Sequence, residues 1–440
     1  MLPDPALPVP ASLMTLLACF SPLFTAPSFR TFRGLARGFL AQPGKRTVCG
    51  MLSGAGLSRA WSHDRAHSFF SRARRDPGDL GLAAARLVVS LLVPAGEPVL
   101  VAVDGTLFKR RGKKARAASW FHDGSAQGPA KTGRGNSRVV MAVIVRLPFR
   151  ARPAALPVLA KLVVKGTNSA SRLWLARRMT QLLADALPGR RVRVAADSAC
   201  AGQEPRKPGK DVTWTTRLRK DAALHGLPPE RAPGTRGRPR VRGGRLPSLA
   251  RLAAATAFTQ VTVTRYGKTG TVRAAAVTCL WHSVFGTRHV QVVLLRDKSA
   301  SGYDLALVTT DPDATPAHVI ERYAARWSIE VAIEDAKQES GAGQARNRTA
   351  SAVRRTVPFQ LACQTLATTW YATAGHDPAD VEEHRARAPW YHSKARPPTA
   401  DMPGKLRRVL IAARFNAPHP DQPAPQEIHA IRLAWEAAAA

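Results

Sequence analysis

The chain has 440 residues, enough to bury a large core and to form roughly two to four structural units. Lys and Arg number 66 against 30 Asp and Glu, a formal net charge of +36, and a compact protein with that self-repulsion points to a polyanionic partner, nucleic acid ahead of an anionic membrane surface. Cys19, Cys49, Cys200, Cys279 and Cys363 are scattered with no C-x-x-C pair, which argues against a disulfide framework or a zinc site and fits a reducing, cytoplasmic and nucleoid-associated setting.

No apolar run reaches the ~18 residues of a membrane span. The apolar stretch at 13–24 is short and follows Asp4 instead of a basic segment, so neither a membrane partner nor a signal peptide is expected. No G-x-x-x-x-G-K-[ST] loop occurs, so ATP is not expected either.

In chain order, residues 1–90 read as helical, with apolar residues at mixed 3–4 spacings over 28–40, 46–57 and 63–74. The region is basic. It reads equally as a DNA-end-binding helical domain or as a packing layer on the next domain, and no helix-turn-helix pattern decides between them. Residues 91–218 change character: strands are predicted at 99–103 (ending at Asp104-Gly105), 138–147, 156–165, 192–196 (ending at Asp197) and 212–218, with an amphipathic helix over 171–187. Three strands, a helix, a strand and another strand give an α/β fold, a ribonuclease H-like mixed sheet flanked by helices.

Residues 219–256 are rich in Arg, Pro and Gly and read as a basic extended loop. A β-rich insertion, 257–312, carries strand patterns at 259–266, 271–281, 289–296 and 304–309. The segment 313–376 completes the core with a helix around Glu330 and a long apolar helix over 357–374. The Pro-rich tail, 377–440, has one short helical pattern at 406–415.

Within 313–376 the spacing Tyr323, Arg326, Glu330, Lys337 is Y-x2-R-x3-E-x6-K. Wound as one helix at about 100° per residue, these four share a sector roughly 60° wide, with Ile329, Ile333 and Ala336 as an adjacent apolar stripe. The spacing resembles the C-terminal motif of insertion-sequence transposases with an Asp-Asp-Glu (DDE) triad. Residues 101–106, containing Asp104, resemble that family's first-Asp motif, and residues 195–199, containing Asp197, its second. The resemblance spans most of 95–375, including the β-rich insertion before the Glu. It implies DNA end cleavage and strand transfer, with Asp104, Asp197 and Glu330 as catalytic ligands for two Mg²⁺ (or Mn²⁺) ions. It also implies Tyr323, Arg326 and Lys337 on phosphates, terminal inverted repeats and target DNA as double-stranded partners, and a homodimer in the synaptic complex. Cys200 departs from the aromatic residue often found there.

Alternatives stand beside each assignment. Asp104 also fits a turn residue before Gly, Asp197 a helix N-cap, and Glu334 and Asp335 rival Glu330. Lys109, Arg110, Arg111, Lys113, Lys114 and Arg116 suit DNA-backbone contact or a solvated hairpin tip. Arg236 and Arg238, in R-G-R-P, suit phosphate contact or, less simply, an AT-rich minor groove. His122-Asp123 reads as structural. A metal-dependent nuclease of the same fold, or a DNA-binding derivative without catalysis, are the competing functions.

Overall fold

The computed structural model describes residues 9–124, 126, 129–198, 209, 211–230, 236–298, 301–415 and 425–439; Cys200 falls outside them. The opening region is helical as expected: α1 (Ala11–Ala18), α2 (Ala26–Ala41), α3 (Val48–Gly54), α4 (His63–Ser71) and α5 (Pro77–Leu92). Side chains of Thr47, Ser62 and Asp76 accept the amides of Gly50, Arg65 and Gly78, and these caps fix where α3, α4 and α5 begin. A Cβ added at Gly81 would sit 2.0 Å from the Val158 carbonyl oxygen, so only glycine lets α5 approach the sheet this closely.

The strands are β1 (Val99–Lys109), β2 (Ser119–His122), β3 (Thr132–Val145), β4 (Ala154–Leu162), β5 (Val192–Ala196), β6 (Val212–Arg217), β7 (Thr259–Arg265), β8 (Lys268–Leu280), β9 (His289–Arg296) and β10 (Leu305–Thr309). They form one mixed sheet in the order β2-β3-β1-β5-β6-β10-β9-β8-β7, with β4 also on β3. β1 runs antiparallel to β3 and parallel to β5, and β5 parallel to β6. Between β4 and β5 lies α6 (Arg172–Ala186); α7 (Leu249–Ala255) precedes β7 and α8 (His282–Phe285) follows β8. After β10 come α9 (Pro316–Ala325), α10 (Ser328–Gln338), α11 (Ala350–Trp370), α12 (Asp380–Arg387), α13 (Asp401–Phe415) and α14 (Pro425–Ala439). The mixed sheet flanked by helices is a ribonuclease H-like fold.

The strand-rich block does not stand apart: through the β6–β10 pairing it extends the same sheet. The basic loop doubles back through bridges of His225 to Arg245 and Leu280 and holds α7, which sequence reading treated as loop. The Pro-rich tail carries three helices among the described residues where one was expected. One of them, α13, is tied to α2 by Arg407 Nε donating to the Leu40 carbonyl at 3.4 Å.

The long helix expected over 357–374 is present as α11, which starts earlier, at Ala350, and is buried along nearly its whole length with Gln360, Gln364 and several threonines among its buried side chains. Phe359 on α11 meets Phe32 and Phe39 of α2 and Phe69 and Phe70 of α4 edge-on, with centroids 5.3–6.4 Å apart. Through these rings the opening helices pack onto α11. No helix among the described residues is long and apolar enough to cross a membrane.

Candidate active site

The β1–β5 register pairs Val101 with Val194, Ala102 with Ala195 and Val103 with Ala196. One further step brings Asp104 beside Asp197, on the sheet face that carries Ala102 and Ala195. Ala102 packs with Ile329, Ile333 and Ala336 of α10, so α10 covers the face from which both aspartates project.

Asp104 was expected to end its strand. It does not: β1 pairs with β3 from Val101 through Lys109, with Asp104 opposite Val140. What changes at 104–106 is burial, since these positions are half-buried between the fully packed Val103 and Leu107. Asp197, one residue beyond β5, does lie at a strand end; the residues an N-cap there would serve, 199 onward, lie outside those described. Each carboxylate accepts the following amide at 2.7 Å, Asp104 Oδ1 from Gly105 and Asp197 Oδ1 from Ser198.

The continuous helix expected over 323–337 is also corrected. α9 stops at Ala325 and α10 starts at Ser328. Arg326 and Trp327 stay right-handed (φ −52° and −55°), but their amides reach back three residues, to the Tyr323 and Ala324 carbonyls, both at 3.2 Å. That 3₁₀-type turn tightens the path between α9 and α10.

The polar cluster survives the break. Arg326 Nη1 lies 2.9 Å from Glu330 Oε1, and its guanidinium carbon is 5.5 Å from the Tyr323 ring centre. Lys337 Nζ donates to Thr106 Oγ1 at 2.6 Å, which brings it to the β1 positions beside Asp104.

The rivals of Glu330 are placed elsewhere. Glu334 is exposed and accepts from Gln338 Nε2 at 3.1 Å. Asp335 accepts from Thr399 Oγ1 at 2.5 Å and lines a cavity of about 1130 Å³ shared with Leu100, Arg193, Trp327 and Thr399. That cavity is therefore distinct from the carboxylate cluster.

The electrostatics tie the three acids together. Burial pushes the Asp104 carboxyl above the ordinary carboxylate range; the Gly105 amide and Arg326 pull it down, and Glu330 and Asp197 push it further up. Burial opposes the charge on Arg326, yet Tyr323, Glu330 and Asp104 together hold its guanidinium above its usual value. Burial raises the Tyr323 phenol, whose other influences include Arg326, Asp197 and Arg217. Burial lowers Lys337, while Asp123 and Asp104 act the other way.

Asp104 feels the charge of both other acids, but the three carboxylates do not lie within 4.8 Å of one another as a set. Arg326 holds Glu330 to one side.

The sequence matches the family described as DDE superfamily endonuclease over residues 19–283. The chain belongs to that family. The match takes in the opening helices as well as Asp104 and Asp197, and stops short of Glu330. No curated protein matches the chain.

DDE superfamily endonucleases work on DNA with divalent metal ions. Two neighbouring aspartates and a nearby glutamate are the hard oxygen donors such an ion prefers. A half-buried Asp104 crowded by two further acids is a charge arrangement that a dication relieves.

Other expected residues of this endonuclease separate into two groups. Arg110 is corrected: it is buried, with Nε donating to Asn136 Oδ1 at 3.1 Å and Nη1 to the Ala345 carbonyl at 2.5 Å, so its guanidinium is structural. Lys109 pairs with the buried Asp123 at 3.2 Å, in keeping with a structural His122-Asp123. Arg111, Lys113 and Lys114 are exposed, and so is Arg116. Arg236 and Arg238 are exposed on the loop between β6 and α7.

Sequence reading missed Thr106, the anchor of Lys337, although it stands two residues from Asp104 on the same strand face. It also missed Arg217, an exposed cation at the end of β6 within electrostatic reach of Tyr323; the neighbouring β5 and β6 patterns were its only signal.

Proposed function

We propose that this chain is the transposase of an insertion sequence, cutting DNA at terminal inverted repeats and joining the freed 3′ end to target DNA. The observation that carries the reading is the sheet register that sets Asp104 beside Asp197 under the helix bearing Glu330. These three residues would hold two Mg²⁺ or Mn²⁺ ions, which when bound polarise the scissile phosphate and lower the pKa of the attacking hydroxyl.

The chain's own groups have separate tasks. Arg326 pairs with Glu330, and a phosphate oxygen brought to it by DNA would compete for its guanidinium. Lys337, fixed by Thr106, supplies a point charge beside Asp104. Tyr323 stacks under Arg326 and limits its swing. Arg111, Lys113 and Lys114 on one side and Arg236 and Arg238 on the loop would track the duplex backbone. Two copies would pair the two ends, and the setting would be the nucleoid.

The endonuclease description of the family supports a second reading, hydrolysis without strand transfer. A supercoiled plasmid carrying the native flanking ends separates the two. With Mg²⁺, wild type should release the element and produce joined strand-transfer products. Glu330→Gln should bind the ends and cut at least about 10³-fold more slowly, while Glu334→Gln cuts normally. Cutting without joined products would favour the hydrolytic nuclease; full cutting by Glu330→Gln would overturn both.

A further inference from the structure

Far from the carboxylates, α3 and α4 bring three soft donors to one point. Cys49 is the second residue of α3; His63 and His67 stand one turn apart on α4. Cys49 Sγ lies 3.8 Å from His67 Nε2, the two imidazole centres are 4.2 Å apart, and one ligand atom from each residue falls within 4.8 Å of the other two. Among the described residues no other trio of His, Cys, Asp or Glu comes this close together.

We propose that Cys49, His63 and His67 form a binding site for a zinc-type divalent cation. Tetrahedral zinc, with bonds of about 2.3 Å to sulfur and 2.0–2.1 Å to nitrogen, needs donor separations of about 3.3–3.6 Å. The observed spacing therefore closes on an ion by side-chain rotation. A His pair at i and i+4 on one helix face is the geometry that holds zinc in H-x-x-x-H helices.

The donor set also selects the metal. Thiolate and imidazole favour zinc-type ions, whereas Mg²⁺ wants oxygen, so this site and the carboxylate cluster would not compete. Asp64, beside His63, adds a negative charge that reaches His67. Cys49 and His63 are exposed, which leaves a fourth position open to water. The ion would clip α3 to α4 within the basic helical layer, replacing the weak Cys49–His67 hydrogen bond with metal–ligand bonds. The absence of any C-x-x-C hid the site from sequence reading, because its third ligand lies on a separate helix.

The test uses the full chain, stripped with chelator and titrated with Co²⁺ in buffer holding excess Mg²⁺, which occupies the carboxylate cluster. The expected result is one Co²⁺ per chain with a sulfur-to-cobalt charge-transfer band, displaced by Zn²⁺. That band should vanish in Cys49→Ser, and affinity should fall at least about 100-fold in His63→Gln and His67→Gln. The band should be unchanged in Asp104→Asn, because no carboxylate contributes to a sulfur-to-cobalt transition. Zn²⁺ should raise the melting temperature of wild type and leave that of the Cys49 variant unchanged. No charge-transfer band, or a band that persists without Cys49, would overturn the proposal. Should Cys49→Ser fail to fold, unaltered binding by the exposed His63→Gln would do the same.

Discussion

Neighbouring cations on one strand and its exit loop have opposite fates. Arg110 turns inward onto Asn136 and the Ala345 carbonyl, whereas Arg111, Lys113 and Lys114 remain in solvent. Arg110→Ala should therefore lower stability by about 1–3 kcal/mol through two unsatisfied partners, read by urea unfolding, with DNA affinity unchanged once the folded fraction is allowed for. The triple change Arg111→Ala, Lys113→Ala, Lys114→Ala should do the reverse. It should leave stability within about 0.5 kcal/mol and flatten the log–log salt dependence of duplex binding by about 0.9 for every phosphate these cations neutralise. Charge density in the sequence marked this cluster but could not sort it, because facing is decided by β3, where Asn136 stands opposite Phe108.

At the scale of elements, the sequence showed most of the sheet, since alternating or continuous apolar runs such as 192–196 and 289–296 coincide with β5 and β9. Its misreadings have physical causes. Asp104-Gly105 has the chemistry of a turn, yet β1 continues because β3 keeps supplying backbone partners on the far side of the pair. The break at Arg326 and Trp327 is invisible to periodicity because both residues keep helical dihedrals and only the hydrogen-bond step shortens. Asp104, Asp197 and Glu330 stood out in the sequence by residue type and spacing. The Arg326–Glu330 ion pair did not, being a side-chain contact made at that tightened turn.

Two elements carry stability predictions. Phe359, fully buried against four aromatic rings of α2 and α4, should cost about 3–5 kcal/mol on change to Ala, measured by guanidinium unfolding. A smaller lock joins the end of α11 to the tail: Tyr371 Oη donates to Asp380 Oδ2 at 2.6 Å, and Lys405 pairs with Oδ1. Burial works against the ionised Asp380, but Lys405 and Tyr371 outweigh it and hold its carboxyl below the ordinary range. Its stabilisation is thus complete above the unfolded carboxylate pKa and lost as pH falls through the depressed native value. Asp380→Asn should remove about 1 kcal/mol at neutral pH, allowing for solvent screening, and make the acid limb of the stability profile shallower.

For the whole molecule, a sheet extended by four strands and a helical layer held by Phe359 carry a small acidic cluster within a chain of net charge +36. The excess cations would attract any duplex, so binding alone says little about function. Chemistry must come from the acids. Diffraction from crystals of the protein with Mn²⁺ and a DNA end, recorded for anomalous signal, addresses that directly. A Mn²⁺ peak should appear bonded to Asp104 and Asp197, with Glu330 turned from Arg326 toward the metal site and Arg326 on a phosphate. Mn²⁺ bound by Glu334 or Asp335, with Asp104 and Asp197 free of metal, would contradict that prediction.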